Sequence, residues 1–199
     1  MIRKILKTTN PKLREHSMPV TRVDKKLFEL IRDMEETLDN QKDPEGLGLA
    51  APQVGVFQRL FVLKPPNSKA QVFINPEIVK LSKKTNDIKK KMEPTSIMEG
   101  CLSLPHYYGP VRRAHSVTIK FHKLPQNFQL PTEHTPTANV QLPISNFPLR
   151  EKTLNGFFAH IVQHEIDHLN GVFFVDHLLK TGRKLYQMKG KEWYEVKLL

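Results

Sequence analysis

The amino-acid sequence predicts an α+β fold in which mixed or antiparallel β-sheets pack around one central helix. Three patterns support this class: an amphipathic segment at residues 23–40, a long apolar-faced segment at 149–171, and alternating apolar and polar residues in the tail. The chain has 199 residues, a length that fits one domain spanning 1–199.

The N-terminal helix is predicted over residues 23–40, with Asp24 placed to cap its start. Its apolar residues recur at helical spacing: Leu27, Leu30, Ile31, Met34 and Leu38. Two short strands are expected next, at 58–63 and 70–76, where β-branched and aromatic residues are concentrated.

The middle of the chain contains two irregular stretches. The lysine-rich run KLSKKTNDIKKK, residues 80–91, is expected to connect strands, and a further strand pair is expected near 112–122. Residues 124–148 contain several prolines and show no helical period. They are predicted to form an extended loop or a ragged hairpin.

The central helix is predicted within residues 149–171, ending near Asn170-Gly171. Its apolar residues indicate a largely buried helix: Phe157, Phe158, Ile161, Val162, Ile166 and Leu169. The tail alternates on both sides of a turn near Lys189-Gly190, which predicts a C-terminal β-hairpin rather than a terminal helix.

Composition excludes several classes of protein. No stretch approaches the roughly 18 apolar residues that a membrane-spanning helix needs, so no membrane partner is expected. The first ten residues are too short and too charged for a secretory signal. Cys101 is the single cysteine, which excludes an internal disulfide and fits a reducing compartment.

The chain carries a net charge of +11, and its pI is about 9.7. Part of the excess lies in the lysine-rich run 80–91. This run is either a solvated loop or a contact for a polyanion such as ribosomal RNA. It has no interleaved aromatic residues, so we expect no sequence-specific nucleic-acid reader and no DNA partner.

The sequence HEIDH, residues 164–168, indicates a metal site on the central helix. Residues four apart on a helix project from one face, so His164 and His168 can hold one metal ion. Glu165 is placed to move protons on a metal-bound water. The alternative is a polar helix face with two solvated histidines, but unpaired imidazoles in an otherwise apolar helix would be costly.

A catalytic site generally needs a third protein ligand. In zinc proteases with this pattern it lies downstream, where this chain offers His177, Glu192 and Glu195. The longer protease continuation fails, because the position that should be histidine is Phe174. We therefore expect an upstream ligand.

Two upstream stretches are distinctive. In EGCLS, residues 99–103, Gly100 permits a tight turn and Cys101 offers the only thiolate. In GLGLAAPQVG, residues 46–55, small residues permit close backbone approach, and Gln53 supplies an amide donor. The latter is no phosphate-binding loop, because the lysine and hydroxyl residue of that motif are missing.

GLGLAAPQ, EGCLS and QHEIDHLNG together resemble the three signature motifs of the peptide deformylase family, in order and with suitable spacing. TNPKLREHSMPV and FINPEI are also similar to that family. The resemblance implies a metal-dependent hydrolase that removes the N-formyl group from the N-terminal formyl-methionine of nascent polypeptides and releases formate. A metal-bound water would attack the formyl carbon.

The resemblance implies three sets of site residues. The implied metal ligands are Cys101, His164 and His168. The implied catalytic residues are Glu165 as general base and then acid, with the Gln53 amide and the Leu102 backbone N–H as oxyanion donors. The implied walls of the methionine pocket are Leu47, Gly48, Ile97, Leu102, Phe157, His160 and Ile161.

Structural support is implied for Gly46, Gly100, Glu99 and Arg113. The last two would form an ion pair that buttresses the metal loop, the alternative being a surface pair worth little. Ordinary core packing is the alternative for Phe157 and Ile161. His160 departs from the apolar residue or arginine usual there, and a polar wall would alter side-chain preference.

The cofactor implied is one divalent metal, Fe(II) in the cell, with Zn, Ni or Co possible in a preparation. The sulfur and imidazole ligand set alone would favour zinc. The implied partners are N-formylmethionyl nascent peptides and the ribosome surface. Bacterial cytoplasm is the expected location, the alternatives being an organelle of bacterial descent or a phage-infected cell.

Two other functions are compatible with parts of the sequence. The first is an endopeptidase of the HExxH kind, whose third ligand would be Glu192 or Glu195. The second is a non-enzymatic ribosome-binding or RNA-binding relative with a decayed site, although the expected chemical residues are all present.

Overall fold

The computed structural model describes residues 1–65, 68–86, 97–125 and 140–197. Within these ranges the α-helices are α1 (Lys25–Asp39), α2 (Gly156–Leu169) and α3 (Phe174–Thr181). The strands are β1 (Arg22–Val23), β2 (Gly48–Ala50), β3 (Leu60–Leu63), β4 (Gln71–Leu81), β5 (Glu99–Cys101), β6 (Leu104–Gly109), β7 (Ser116–His122), β8 (Leu142–Pro143), β9 (Leu149–Asn155), β10 (Leu185–Lys189) and β11 (Glu192–Val196). The predicted α+β class is confirmed.

The described strands form two larger sheets and one small pair. A five-stranded sheet has the order β2-β3-β4-β7-β9, a four-stranded sheet has the order β11-β10-β6-β5, and β1 pairs with β8. All of these pairings are antiparallel. The single-domain prediction for 1–199 stays a prediction.

Strand β3 explains how the two long helices are arranged. Successive side chains of a strand point to opposite faces of its sheet. Leu60 and Val62 pack with the apolar face of α1, whereas Phe61 and Leu63 pack with α2. The helices therefore cover opposite faces of the five-stranded sheet, and β3 is buried on both sides.

Helix α1 forms where the sequence predicts it. The side chain of Asp24 caps it by accepting the Leu27 N–H at 2.9 Å. The predicted apolar residues Leu27, Leu30, Ile31, Met34 and Leu38 are all buried. In the part of the chain that the structure describes, no helix is both long and apolar enough to span a membrane.

The segment 149–171 differs from the prediction, because only its second part is helical. Residues Leu149–Asn155 form β9, which pairs with β7 along seven residues. Helix α2 begins at Gly156 and, as predicted, ends near Asn170. The ladder to β7 satisfies the backbone donors and acceptors of β9 that face that strand, and this long-range pairing is invisible in local periodicity.

Two further boundaries differ. Strand β4 continues to Leu81, beyond the predicted end at residue 76, so the lysine-rich run begins inside a strand. Helix α3 was not predicted. It is only eight residues long, too short for a helical period to stand out from its flanks.

The remaining expectations have mixed outcomes. The C-terminal hairpin is confirmed, since Lys189 of β10 pairs with Glu192 of β11 across the predicted turn. The strand pair expected near 112–122 is instead β7 alone, which pairs with β4 and β9. Residues 87–91 of the lysine-rich run and 126–139 of the proline-rich stretch lie outside the described residues.

Candidate metal centre

Helix α2 carries the two histidines of the HEIDH sequence on one face. His164 and His168 are 7% and 1% exposed, and their ring centroids lie 4.8 Å apart. Apolar residues of the helix pack on the five-stranded sheet, whereas His164 and His168 contact Glu99 and Cys101 of β5. Two buried imidazoles one turn apart are a usual arrangement for metal ligation.

Cys101 reaches the same place from a distant part of the chain. It ends β5, where the pairing with β6 shifts register between Gly100 and Cys101. Its Sγ lies 3.1 Å from Nε2 of His168. One ligand atom from each of Cys101, His164 and His168 lies within 4.8 Å of the other two, a spacing that one ion can bridge.

The chemistry of this cluster fits a divalent cation. Nδ1 of His164 lies 2.6 Å from Oε1 of Glu99, which can only accept if ionised, so His164 donates there and keeps its Nε2 lone pair. Burial opposes ionisation of Cys101, but His168 and His164 outweigh it and lower the pKa of the thiol well below its ordinary value. A thiolate and two imidazoles suit zinc or ferrous iron.

Glu165, which follows His164 in the chain, has an unusual environment for a carboxyl group. Its side chain is buried, and its Oε2 has no hydrogen-bond partner among the described residues. Burial raises the pKa of Glu165 to about 7, although the two neighbouring histidines act in the opposite direction. A buried carboxyl of this kind in a cleft is a common sign of acid–base function.

Gln53 also lies beside the cluster, in contact with Cys101. It belongs to a short 3₁₀ turn, Ala51–Val54, and its Oε1 accepts the Ala50 N–H at 2.9 Å. This bond fixes the amide so that Nε2 donates towards Cys101 Sγ at 3.5 Å and Ser103 Oγ at 3.2 Å. The donor end of the Gln53 amide therefore faces the ligand atoms.

A pocket of about 200 Å³ opens above these groups. The residues expected from the sequence to form the methionine pocket all line it: Leu47, Gly48, Ile97, Leu102, Phe157, His160 and Ile161. Phe157 is 47% exposed, so its inclusion among the buried residues of the helix was wrong. Sequence reasoning missed the lining residues Pro44, Glu45, Met98, His106 and Tyr108.

Glu99 and Arg113 form a buried pair rather than a surface one. Nη2 of Arg113 donates to Oε1 of Glu99 at 2.6 Å, and Nε donates to Oε2 at 3.0 Å. Nη1 of Arg113 also donates to Asp167 at 2.5 Å. No local pattern indicated Asp167, because the contact joins residues 54 positions apart.

Gly46 and Gly100 are both places where a side chain would not fit without movement. A Cβ at Gly46 would lie 2.7 Å from Leu102 Cδ1, and a Cβ at Gly100 would lie 2.6 Å from the Tyr108 ring. Both glycines therefore allow the chain to approach residues that line the pocket.

Fold and site together define a protein of the metal-dependent hydrolase class. The family model described as polypeptide deformylase matches residues 2–134 and 138–184. This match covers most of the chain, which therefore belongs to the polypeptide deformylase family. The resemblance noted in the sequence is confirmed.

Bacterial relatives agree with this assignment. A peptide deformylase of Desulfotalea psychrophila is 36% identical over 198 residues, covering 97% of each chain. A peptide deformylase of Afipia carboxidovorans is 37% identical and covers 92% of this chain and 90% of its own.

Solved structures are similar over a comparable length. The crystal structure of peptide deformylase from Thermotoga maritima has a TM-score of 0.68 and 31% identity, covering 89% of this chain and 97% of its own. A class I type b peptide deformylase from Acinetobacter baumannii with Met-Ala-Ser bound has a TM-score of 0.67 and 28% identity, covering 89% and 98%.

Proposed function

We propose that this protein removes the N-formyl group from the N-terminal formyl-methionine of nascent polypeptides. The observation that carries the proposal is the meeting of the Cys101, His164 and His168 ligand atoms beside the unpaired carboxylate of Glu165, at the base of a largely apolar pocket. Family membership supports the same activity.

Cys101, His164 and His168 would hold the cation. When bound, such an ion supplies Lewis-acid chemistry, polarising a carbonyl and making a water molecule more acidic. Glu165 takes a proton from the attacking water at its free Oε2. The water oxygen bonds to the formyl carbon, the C–N bond breaks, and Glu165 returns the proton to the departing nitrogen. The products are formate and a free amino terminus.

Gln53 and Leu102 stabilise the charge that grows on the formyl oxygen. The Gln53 amide is fixed by its bond from the Ala50 N–H, which holds its donor end beside the ligand atom of Cys101. Leu102 directly follows the ligand Cys101 and offers its backbone N–H beside the site. One preorganised donor of this type is typically worth about 3 kcal/mol in the transition state.

The pocket selects methionine by apolar burial. Leu47, Ile97, Leu102 and Ile161 provide apolar wall, and burial of a methionine side chain contributes on the order of 2 kcal/mol. The Acinetobacter baumannii relative was solved with Met-Ala-Ser bound. A peptide that begins with methionine therefore fits a related enzyme of similar fold.

The metal in the cell is proposed to be Fe(II), as the family resemblance implies, with Zn, Ni or Co able to occupy the same ligands. The ligand set by itself suits zinc equally well. Metal analysis of protein purified without oxygen, compared with protein purified in air, would identify the bound ion. Iron in neither preparation would contradict this assignment.

The endopeptidase alternative receives less support. Its third ligand would be Glu192 or Glu195, on the exposed strand β11. Glu195 instead pairs with Lys184 at 2.6 Å. Among the described residues, the cluster with ligand spacing contains Cys101 and neither glutamate.

The test is formate release from formyl-Met-Ala-Ser by the anaerobic Fe(II) protein. The proposed function predicts turnover by the wild type and a loss of roughly 10²- to 10⁴-fold in Glu165→Gln, which keeps the shape of the side chain but cannot accept the proton. Both proteins should bind one metal ion per chain. Equal formate release by the two proteins, or internal cleavage of the peptide, would contradict the proposal.

We also propose that the protein acts in the bacterial cytoplasm near the ribosome. Lys80, Lys83 and Lys84 are exposed at the start of the lysine-rich run and are able to meet RNA phosphates. Replacing these three lysines with glutamine should reduce co-sedimentation with ribosomes at low salt. Matched replacement of three exposed lysines of the C-terminal segment, Lys189, Lys191 and Lys197, is the control, and equal effects would argue against a specific role for the run.

A further inference from the structure

Asn86 links the backbone of Arg113 to His160, a residue that lines the pocket. Its N–H donates to the Arg113 carbonyl at 3.0 Å, and its Oδ1 accepts the Arg113 N–H at 2.6 Å. A backbone N–H can only donate. The second contact therefore fixes which end of the Asn86 amide is oxygen and leaves Nδ2 as the other end.

The Asn86 amide in turn determines the tautomer of His160. Nδ2 of Asn86 lies 2.7 Å from Nδ1 of His160 and can only donate to it. Nδ1 must therefore be unprotonated, and the ring proton of His160 lies on Nε2. This nitrogen lies 2.6 Å from Oε2 of Glu99. The contact is short but poorly aligned for a hydrogen bond, and it is a close electrostatic contact between the ring N–H and the carboxylate.

Glu99 links His160 to the cluster of metal-ligating residues. Its other oxygen, Oε1, lies 2.6 Å from Nδ1 of His164. His160 and Glu99 are 3% and 4% exposed, so water cannot easily replace either partner. The contacts thus form a continuous series from the backbone of Arg113 through the partly buried Asn86 and the buried His160 and Glu99 to His164.

We propose that Asn86 and His160 are positioning residues for the metal ligand His164, acting through the carboxylate of Glu99. This inference rests on the proposed function only in taking Cys101, His164 and His168 as the ligands. Partners of ligating histidines orient the ring, and their loss typically costs about 10- to 100-fold in metal affinity or activity.

The physical reason is that the Asn86 amide fixes the orientation of the His160 ring. Without Asn86, Nδ1 of His160 loses its donor, and the ring is free to turn Nε2 away from Oε2 of Glu99. Arg113 would still hold the carboxylate, but in a shifted position, and the ring of His164 that donates to Oε1 would shift with it. Nδ1 of His160 lies beside the Asn86 amide and Nε2 lies against Oε2 of Glu99, so both ring nitrogens face protein atoms.

The test uses a set of single and double variants. Asn86→Ala and His160→Leu break the series, whereas His160→Gln retains it, because a glutamine oxygen accepts from Asn86 while its amide donates towards Glu99. Thr85→Ala, at the neighbouring position, is the matched control. Zn(II) affinity of metal-depleted protein is measured by competition with a chelator, and the Co(II) absorption spectrum reports the geometry of the ligands.

We expect Asn86→Ala and His160→Leu each to lower Zn(II) affinity about tenfold and to alter the Co(II) spectrum. The double variant should lose no more than His160→Leu alone, because both residues act through one route. His160→Gln and Thr85→Ala should keep wild-type affinity and spectrum.

Unchanged Zn(II) affinity and Co(II) spectra in Asn86→Ala would overturn the inference, as would additive losses in the double variant. These measurements need no substrate. A protein that binds metal through this series but releases no formate would contradict the proposed function and leave the positioning role intact.

Discussion

Gly48 has no side chain, and this leaves room for the carboxylate of Glu165. A Cβ at this position would lie 2.3 Å from Oε1 of Glu165 and 2.8 Å from its Cδ. The strand β2 therefore approaches the carboxylate as closely as a backbone can. Because the obstructed atoms are the far end of a flexible side chain, a methyl group here would move the carboxylate rather than the backbone.

Gly48→Ala should separate activity from stability. Displacing the Glu165 carboxylate by about 1 Å is expected to lower kcat/KM roughly a hundredfold. The free energy of unfolding should change by about 1 kcal/mol or less, since no backbone atom is obstructed. Formate release and chemical denaturation test the two parts, and full activity would show that Glu165 tolerates the shift.

Two substitutions of Gln53 distinguish the packing of its side chain from its role as a hydrogen-bond donor. Gln53→Ala should lower kcat/KM about a hundredfold, the scale of one oxyanion donor. Gln53→Glu keeps an acceptor for the Ala50 N–H but has no amide donor, so its loss should be similar. If the glutamate variant kept wild-type kcat/KM, Gln53 would act by packing alone.

At the scale of elements, the end of α2 is fixed by contact with the N-terminal segment. Gly171 follows the helix with φ +70°, and a Cβ there would lie 2.2 Å from the Arg14 carbonyl oxygen. The side chain of Arg14 stacks over Phe173 at 3.9 Å from the ring centroid. The helix that carries both histidines is thus held at its C-terminus by residues far away in sequence.

Gly171→Ala should destabilise the fold for two reasons: the positive φ at this position and the nearby Arg14 backbone. A left-handed residue with a Cβ costs about 1–2 kcal/mol, and the obstruction by the Arg14 backbone adds to this. Gly182→Ala is the matched control, because Gly182 has φ +61° but open space around it. Equal changes in the free energy of unfolding would mean that the Arg14 contact is unimportant.

At the scale of the whole molecule, the proposed metal ion would join parts of the chain that are far apart in sequence. Cys101 ends a strand of the four-stranded sheet, whereas His164 and His168 belong to the helix that covers the five-stranded sheet. A ligand that binds only the folded state stabilises it by mass action. The cation is therefore expected to stabilise the packing of one sheet on the other.

Removal of the metal should lower the midpoint of thermal unfolding. At a metal concentration 100 times Kd the linkage is worth about 2.7 kcal/mol, or roughly 5–10 °C for a chain of this size. Cys101→Ala should abolish this metal dependence. A shift that survives in Cys101→Ala would place the metal elsewhere and would favour the endopeptidase alternative.

The candidate site was largely predictable, because its residues lie in short, specific sequences. HEIDH indicated two ligands and a carboxylate from helical spacing alone. Residue spacing alone did not identify the third ligand, and the family resemblance indicated Cys101. Asn86 and Asp167 were missed, since each acts through partners brought near only by folding. The roles of all these residues remain predictions.

The sequence by itself determined the features that depend on near neighbours: the amphipathic α1 with its Asp24 cap, the C-terminal hairpin, and the spacing of His164 and His168. Only the tertiary structure decided that 149–155 is a strand, that Glu99 and Arg113 are buried, and that Cys101 lies 3.1 Å from His168. The physical reason is that periodicity and capping arise within a few residues, whereas strand pairing and burial depend on which distant segments pack together.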